Sequence, residues 1–301
     1  MMLSHTKPSL SPGARPVMAL LSAAMMALAL SQPVFALAGE RLTATGGISD
    51  LDGAGGGGIV PWALITGNGS ADEVGGNAHA TRVVLSHFQL NSVGAAVGIH
   101  DRLEISLARL TFGLGSTVPG KTIREDVAGI KLKLAGDAVF DPDRAMPQVA
   151  LGAEFKHNLD AAPIPNALGA RRDADTDYYV AATKVVFAAV LGRNLIWNLT
   201  LRETRANQLG LLGFGGDLND SYRLEPEASL GVFLRDDLVA GVEYKRKPNN
   251  LSAFRENDYY DAFLVWQPEK DLAVNLAWAR LQTVADKRNE NGLYVGLQVN
   301  R

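Results

Sequence analysis

The chain of 301 residues has no cysteine, no excess of positive charge and no long apolar run beyond its first 38 residues. The lack of cysteine excludes disulfides and thiolate metal sites. A formal net charge of −3, from 29 Lys and Arg against 32 Asp and Glu, indicates no nucleic-acid partner. Beyond residue 38, no stretch reaches the roughly 18 apolar residues expected of a transmembrane helix. If this part of the chain crosses a membrane, it must do so as a closed β-barrel.

The first 38 residues have the features of a targeting segment. Lys7 and Arg15 supply positive charge, Val17–Leu30 is apolar, and Ala36-Leu37-Ala38 has the form of a cleavage site. The apolar stretch is shorter than the ~20 residues that a membrane anchor needs. The sequence therefore predicts a signal peptide over residues 1–38 and an exported domain over residues 39–301.

Most of the exported domain consists of segments in which large apolar residues alternate with small or polar ones. In one of them, Leu272, Val274, Leu276 and Trp278 alternate with Ala273, Asn275, Ala277 and Ala279. Successive side chains of a strand point to opposite faces, so each such segment predicts a strand with one apolar face. No segment of similar length keeps a 3.6-residue period, and the predicted fold class is all-β.

Twelve such strands are predicted from Arg82 onward. They are Arg82–Leu90, Val93–Ile99, Leu103–Phe112, Val127–Leu134, Val149–Phe155, Tyr178–Val190, Leu195–Glu203, Leu224–Leu234, Leu238–Lys245, Tyr259–Trp266, Ala273–Leu281 and Leu293–Arg301. Two further candidates, Arg41–Gly47 and Ile59–Thr66, precede them, and Pro61 makes the second irregular. Residues 39–78 are therefore predicted to form either the first two strands or a plug.

The predicted connections alternate in length, which favours a membrane barrel over a soluble sandwich. Short turns are predicted at His100-Asp101, Gly192–Asn194, Asp236-Asp237 and Pro268–Lys270, and long loops at Leu114–Ile123, Asn158–Asp175, Gln208–Ser221 and Pro248–Glu256. Outer-membrane barrels have short periplasmic turns and longer external loops. Two connections break the pattern, a short one at Asn91-Ser92 and a long one at Gly136–Met146.

Charged residues fall on the face opposite the large apolar residues. The predicted lumen-lining set is Lys131, Lys133, Glu154, Lys156, Arg202, Glu243, Lys245 and Asp261. Aromatic residues near strand ends on the apolar side predict an interfacial girdle of Trp197, Tyr244, Tyr260, Trp266 and Trp278. In a lumen of 12 to 14 strands, long side chains of both signs are expected to pair and constrict the path. In a soluble sheet protein, the alternative, the same face would be hydrated.

Several short motifs together resemble a family of uncharacterised Gram-negative outer-membrane proteins, known as a domain of unknown function. They are Thr45-Gly46-Gly47, Gly55–Gly58, Pro61-Trp62-Ala63, Ala96–Ile99, Arg102–Ser106 and Ala108-Arg109. The hairpin Val97–Ile105 is also similar to outer-membrane transporters of the phenol meta-degradation type. The resemblance covers most of the exported domain. It implies an envelope β-barrel and supplies no catalytic residue.

The C-terminal segment resembles the signal recognised by the barrel assembly machinery. It contains Tyr294-x-Gly296 and Val299, but Arg301 stands where that signal usually has an aromatic residue. The expected partners are this machinery, outer-membrane lipid, lipopolysaccharide and a small-molecule solute.

The sequence thus predicts a transmembrane, antiparallel, up-and-down β-barrel of 12 to 14 strands in the outer membrane. The protein is predicted to be a narrow channel for passive passage of small solutes. Apolar solutes are one option. The alternatives are a structural or adhesive barrel with a closed lumen, or a lipid-modifying barrel enzyme. An enzyme would need a nucleophile and a base, but Ser86 and His87 are adjacent in a predicted strand and point to opposite faces. No catalytic residue, cofactor or metal site is predicted.

Overall fold

The computed structural model describes residues 46–139, 141 and 144–301. The predicted signal peptide and almost all of the candidate strand Arg41–Gly47 lie outside the described residues. Across the described part of the chain, no helix combines the length and apolar character needed to cross a membrane.

Fourteen strands, one short helix and one 3-10 turn are present in the described residues. The strands are β1 Ile48–Ser49, β2 Gly55–Gly56, β3 Val74–Leu85, β4 Gln89–Ile99, β5 Leu103–Gly113, β6 Thr122–Ala135, β7 Gln148–Asn158, β8 Ala174–Val190, β9 Arg193–Thr204, β10 Arg223–Arg235, β11 Leu238–Lys245, β12 Tyr259–Glu269, β13 Leu272–Val284 and β14 Lys287–Asn300. The helix is α1 Ile164–Ala167, and the 3-10 turn is Gln208–Gly210.

Strands β3 to β14 form a closed barrel in which each strand pairs with its neighbours in the chain. The barrel closes where β14 pairs antiparallel with β3, for example at Leu297 and Ala80. Closure leaves no unpaired sheet edge, the condition for strands to cross a hydrocarbon layer. The prediction of an all-β, up-and-down barrel is confirmed, with twelve barrel strands rather than fourteen.

The two ends of the barrel differ in their connections. The terminal end carries the start of β3, the end of β14 and two-residue turns at 191–192, 236–237 and 270–271. The loop end carries the long connections 159–173, 205–222 and 246–258. The predicted exception at 136–146 is present, as residues 136–147 form a long connection at the terminal end.

One local prediction is wrong. Asn91 and Ser92 do not form a turn; they lie within β4, and the turn is at residues 86–88. Ser92 belongs inside a strand because its hydroxyl faces the lumen and donates to the Leu51 carbonyl at 2.7 Å. Of the two alternatives for Ile59–Thr66, a strand or part of a plug, the structure has the second, because its backbone groups bind side chains of the barrel wall instead of a strand partner.

The barrel has an apolar outer surface and a polar interior. Large apolar side chains are exposed on strands all round the barrel, among them Val93, Ile105, Ile130, Leu151, Phe155, Val180, Leu199, Leu230, Val242, Leu264, Leu276, Leu293 and Val295. On β13, Leu276 is 42% exposed whereas its neighbour Asn275 is 3% exposed. An apolar surface that encircles the molecule far exceeds the patches of soluble monomers and matches the lipid-facing band of a transmembrane barrel.

Candidate functional site

The lumen is filled by a segment of the same chain, residues 46–67, which we call the plug. Every residue from Ile48 to Gly67 is buried. Its only regular structure is the two-stranded sheet of β1 and β2, in which Ile48 is opposite Gly56. Side chains of the barrel wall therefore provide many of the hydrogen-bond partners that its backbone needs in this setting.

A first clamp on the plug is the ion pair of Glu104 on β5 and Lys131 on β6, whose charged atoms are 3.0 Å apart. Glu104 accepts hydrogen bonds from the backbone N–H groups of Gly55 at 2.9 Å and Thr66 at 2.8 Å. Lys131 donates to the carbonyls of Gly55 at 2.7 Å and Leu64 at 2.9 Å. The pair thus binds the middle of the plug at Gly55 and its end at Leu64 and Thr66.

A second clamp is Glu243 on β11. One carboxylate oxygen accepts from the N–H groups of Gly58 at 2.7 Å and Ile59 at 2.9 Å, and the other accepts from the Ser229 hydroxyl at 2.7 Å. A Cβ atom at Gly57 would lie only 1.9 Å from Glu243 Oε1. A side chain at residue 57 would therefore force this carboxylate to move away from the plug.

Neutral side chains hold the rest of the plug. Thr183 accepts from the Ala63 N–H at 2.8 Å, and Gln148 donates to the Ala63 carbonyl at 2.6 Å. The Trp62 indole N–H donates to the Ser229 hydroxyl at 2.9 Å, and Thr200 donates to the Pro61 carbonyl at 2.8 Å. These bonds come from β7, β8, β9 and β10, so the wall grips the plug from several sides.

The remaining buried charges form a network around Lys156 and Arg202. Lys156 Nζ lies 2.7 Å from Asp52 of the plug, 3.2 Å from Asp177 and 3.6 Å from Glu154. Arg202 lies 2.6 Å from Glu154 and 2.7 Å from Glu227. Removing one member of such a buried network leaves uncompensated charge, at a cost of about 3–5 kcal/mol.

The structure places the predicted lumen-lining residues on the inner face. Seven of them are buried there: Lys131, Glu154, Lys156, Arg202, Glu243, Lys245 and Asp261. Lys133 is half-buried near the terminal end, 2.6 Å from Asp101. Their pairing differs from the expectation, because Lys131, Glu243 and Lys245 bind backbone groups of the plug as well as other side chains. The path is occluded by chain rather than by side-chain pairs alone.

Sequence reasoning missed the partners that complete these clamps: Asp52, Glu104, Asp177, Glu227 and the plug backbone itself. It also missed that part of the loop 205–222 folds inward, burying Leu209, Leu211, Leu212 and Phe214 at the loop end. The apolar sequence Leu209–Phe214 inside a predicted surface loop was the available signal, since exposed loops are seldom so apolar.

The predicted girdle residues all lie on the outer face. Tyr244 and Tyr260 pair in register at the loop end with ring centroids 5.2 Å apart, while Trp197 and Trp266 lie towards the terminal end. Trp278 is 57% exposed and lies closer to mid-height. Their role at a membrane interface stays a prediction.

His87, considered above as a base, has a carboxylate partner. Its Nδ1 atom lies 2.5 Å from Glu290 Oε1 at the loop end of β14. In the loop 246–258, Lys247 is 3.2 Å from Glu256, and burial raises the pKa of Glu256 and lowers the pKa of Lys247. Both carboxylates thus hold cationic or titratable groups of the loop end in place.

Three cavities between the plug and the wall share lining residues. An outer cavity near the loop end, of about 30 Å³, is lined by Leu51, Ile59, Leu85, Tyr259, Ala279 and Tyr294, among others. A middle cavity of about 10 Å³ is lined by residues that include Ile48, His79, Asn275, Tyr294 and Gly296. An inner cavity of about 20 Å³ lies between the plug and β9, β11 and β12 and is lined by residues that include Ile48, Gly58, Trp62, Phe263 and Gln267.

Comparisons with known proteins give a family and a set of similar shapes. A family model described as "Protein of unknown function (DUF3034)" matches residues 45–298. No curated protein sequence matches the chain. Among solved structures, the KdgM porin is 8% identical with a TM-score of 0.46, covering 74% of this chain and 98% of that one.

Two further solved structures are similar to the same extent. The NanC porin is 10% identical with a TM-score of 0.47, covering 74% of this chain and 98% of that one. The Acinetobacter baumannii outer membrane protein Omp33 is 6% identical with a TM-score of 0.45, covering 77% and 100%. Identities this low and TM-scores below 0.5 say nothing about what this chain binds or transports.

Proposed function

We propose that this chain, which belongs to the DUF3034 family, is an outer-membrane channel for passive passage of small solutes whose lumen is occupied at rest by its own N-terminal plug. Solute flow then requires that the plug shifts within the barrel. The terminal end faces the periplasm in this proposal, since short turns lie at that end of outer-membrane barrels.

The observation that carries the proposal is the combination of a closed barrel, a lipid-type outer surface and a non-covalent plug beside which cavities remain. The plug is held by hydrogen bonds and ion pairs, each of which can be exchanged for water. A segment held in this way can move without any break in the barrel wall. The predicted outer-membrane location agrees with the apolar outer face.

A closed, structural barrel is the second candidate. It is favoured by the number of buried bonds to the plug, since a permanently filled lumen would need all of them. The two candidates differ in how the protein responds when the plug is loosened. In a channel, permeability should rise, whereas in a structural barrel only stability should fall.

The test replaces the first clamp in the full-length protein, as the double variant Glu104→Ala, Lys131→Ala. The matched control is Arg109→Ala, Asp126→Ala, which removes an ion pair of 2.6 Å from the outer face of the same two strands. We expect arabinose-driven swelling of proteoliposomes to be severalfold faster with the clamp variant than with the control or the parent. Equal swelling of all three, with heat-modifiable and therefore folded barrels, would support the structural barrel instead.

A further inference from the structure

We infer that, when the plug shifts, solutes cross beside it through three cavities in series. The outer and middle cavities lie along β13, β14 and β3, and the inner cavity lies along β9, β11 and β12. The inferred solutes are small uncharged molecules with an apolar body and one hydrogen-bonding group. This inference rests on the proposed channel function and adds its route, its gate and the class of its solute.

The series is defined by two residues that each line two cavities. Tyr294 lines both the outer and the middle cavity, and Ile48 of the plug lines both the middle and the inner cavity. Passage from the loop end to the terminal end through these cavities therefore meets Tyr294 first and Ile48 second. Tyr294 is 1% exposed, and its hydroxyl lies 3.5 Å from the Gly58 carbonyl. It closes the gap between β14 and the plug.

Space exists at the outer and middle cavities because several inward side chains that line them are small. They include Ala273 and Ala279 on β13 and Gly296 on β14. On the opposite wall the inward positions carry Glu154, Lys156, Tyr179 and Arg202, which reach the plug or one another. These two cavities therefore lie mainly along the strands with the smallest inward residues.

The outer and inner cavities select for an apolar body. Leu51, Ile59, Leu85 and Ala279 line the first, and Trp62 and Phe263 line the second. From Asn77 to Leu85 of β3, from Ala273 to Ala279 of β13 and from Gly292 to Gln298 of β14, no inward-facing residue carries a full charge at neutral pH. The charged groups that border this path are carboxylates, Glu243 beside Gly58 and Asp261 opposite Ala279 in register. An anion on this path would have no counter-charge there, so the path favours uncharged solutes over anions.

The middle cavity selects for one polar group. His79 is 5% exposed and Asn275 is 3% exposed, and both line this cavity. The two ring nitrogens of His79 and both amide atoms of Asn275 have no hydrogen-bond partner among the described residues. Buried donors and acceptors are normally satisfied, so these four atoms indicate a position for a group that can both donate and accept, such as a hydroxyl.

Gly296 explains how such a group fits. It lies in β14 with Asn275 as its register partner on β13 and Thr81 as its partner on β3, next to the register pair of His79 and Gln298. A Cβ atom there would stand 3.2 Å from the Thr81 hydroxyl and 3.3 Å from the Tyr294 ring. Any larger side chain would fill the middle cavity.

The gate is tested with Tyr294→Ala in planar bilayers. The matched control is Tyr179→Ala, which truncates a buried, inward-facing tyrosine on β8 that lines none of the three cavities. We expect potassium chloride conductance to rise severalfold with Tyr294→Ala and to stay near the parent value with Tyr179→Ala and with Tyr294→Phe, which keeps the ring. If Tyr294→Ala does not fold, as judged by heat-modifiability, Tyr294→Leu is measured instead. We then expect a smaller rise in conductance.

The solute class is tested as block of the Tyr294→Ala current. Benzyl alcohol should block it at lower concentration than arabinose, and adding Asn275→Leu should weaken the benzyl alcohol block about fivefold, the loss of one hydrogen bond. Adding Ala279→Trp, which fills the outer cavity, should abolish the block. Equal block by both probes, or a block unaffected by Ala279→Trp, would overturn the assigned class.

Failure of the route and failure of the channel have different signatures. If Tyr294→Ala and Tyr179→Ala conduct alike while the clamp variant Glu104→Ala, Lys131→Ala still opens the barrel, the route is wrong and the channel stands. If the clamp variant, Tyr294→Ala and the parent are all equally closed, both proposals are wrong.

Discussion

The two sides of the lumen solve the same packing problem in opposite ways. Strands β5 to β12, here the charged wall, place Glu104, Lys131, Lys156 and Glu243 against the plug, and Arg202 joins the wall carboxylates around Lys156. Strands β13, β14, β3 and β4, the small wall, mostly face the plug with alanine, glycine, serine and amide side chains. The charged wall fixes the position of the plug, and the small wall leaves space beside it. At the outer and middle cavities, attachment and free space therefore use mainly different strands, whereas the inner cavity borders β9, β11 and β12 of the charged wall.

The largest effect is expected at the centre of the charged wall. Lys156→Met removes the cation shared by Asp52, Asp177 and Glu154, so three buried carboxylates lose a partner. We expect a loss of about 3–5 kcal/mol in the free energy of unfolding. Urea unfolding of the refolded protein in detergent, followed by gel mobility, measures it. A loss below about 1 kcal/mol would mean that the network does not organise this wall.

The next largest effect is expected on the outer face, where the difference between the charged wall and the small wall should have no influence. Leu276 lies on the outer face of β13, so Leu276→Arg puts a charge towards lipid without touching the small wall. We expect about 2–4 kcal/mol of lost stability in lipid bilayers. Gln89→Arg, exposed at the loop end of β4, is the control and should cost about 0–1 kcal/mol. Equal damage from both would show that Leu276 is not at membrane depth.

These outer-face expectations follow from the sequence because they are local. Alternation within β13 assigns Leu276 and Asn275 to opposite faces without knowledge of any other strand, and the same holds for Lys131 and Arg202. The clamps are not local. Glu104 meets Gly55 and Lys131, and Glu243 meets Gly58 at 185 positions' distance along the chain. The two-residue period of a strand assigns each side chain to one face of the sheet. It does not identify the residues that the side chain contacts on that face.

The failed turn at Asn91-Ser92 has the same origin. Asn and Ser favour turns when their side chains bind nearby backbone, and that preference suggested a connection. In the folded barrel the Ser92 hydroxyl binds the Leu51 carbonyl of the plug, a partner that local sequence cannot reveal. Once the plug is known, a polar residue on an inward strand position becomes the expected arrangement.

A smaller effect on stability is expected from two matched glycine substitutions, one next to the charged wall and one in the small wall. Gly57→Ala would bring a methyl group against Glu243 Oε1 and displace the carboxylate that binds Gly58, Ile59 and Ser229. Gly296→Ala meets its nearest atoms at 3.2 Å. We expect a loss of about 1–3 kcal/mol for the first and less than about 1 kcal/mol for the second, by the same unfolding assay. The reverse order would contradict the division into a tight and a loose wall.

The smallest effect has the opposite sign. Asn275→Leu replaces a buried amide whose polar atoms have no partner among the described residues by an apolar group of similar volume. We expect the free energy of unfolding to stay equal or to increase by about 1 kcal/mol. Asn198→Leu is the control on the charged wall, where the amide bonds to Thr183 and Thr200, and it should destabilise the protein. A loss for Asn275→Leu as large as for Asn198→Leu would show that Asn275 has a structural role.

The glycine content of the plug has a consequence for how buried charge is tolerated. Between Gly53 and Gly58 five of six residues lack a side chain, so the peptide groups come as close to the wall as a chain allows. Two carbonyls solvate the Lys131 ammonium, and two N–H groups solvate the Glu243 carboxylate. The backbone amides of the plug solvate these ions as water does in an open pore, but from fixed positions. This solvation depends on how closely the backbone approaches the ions more than on the identity of particular side chains.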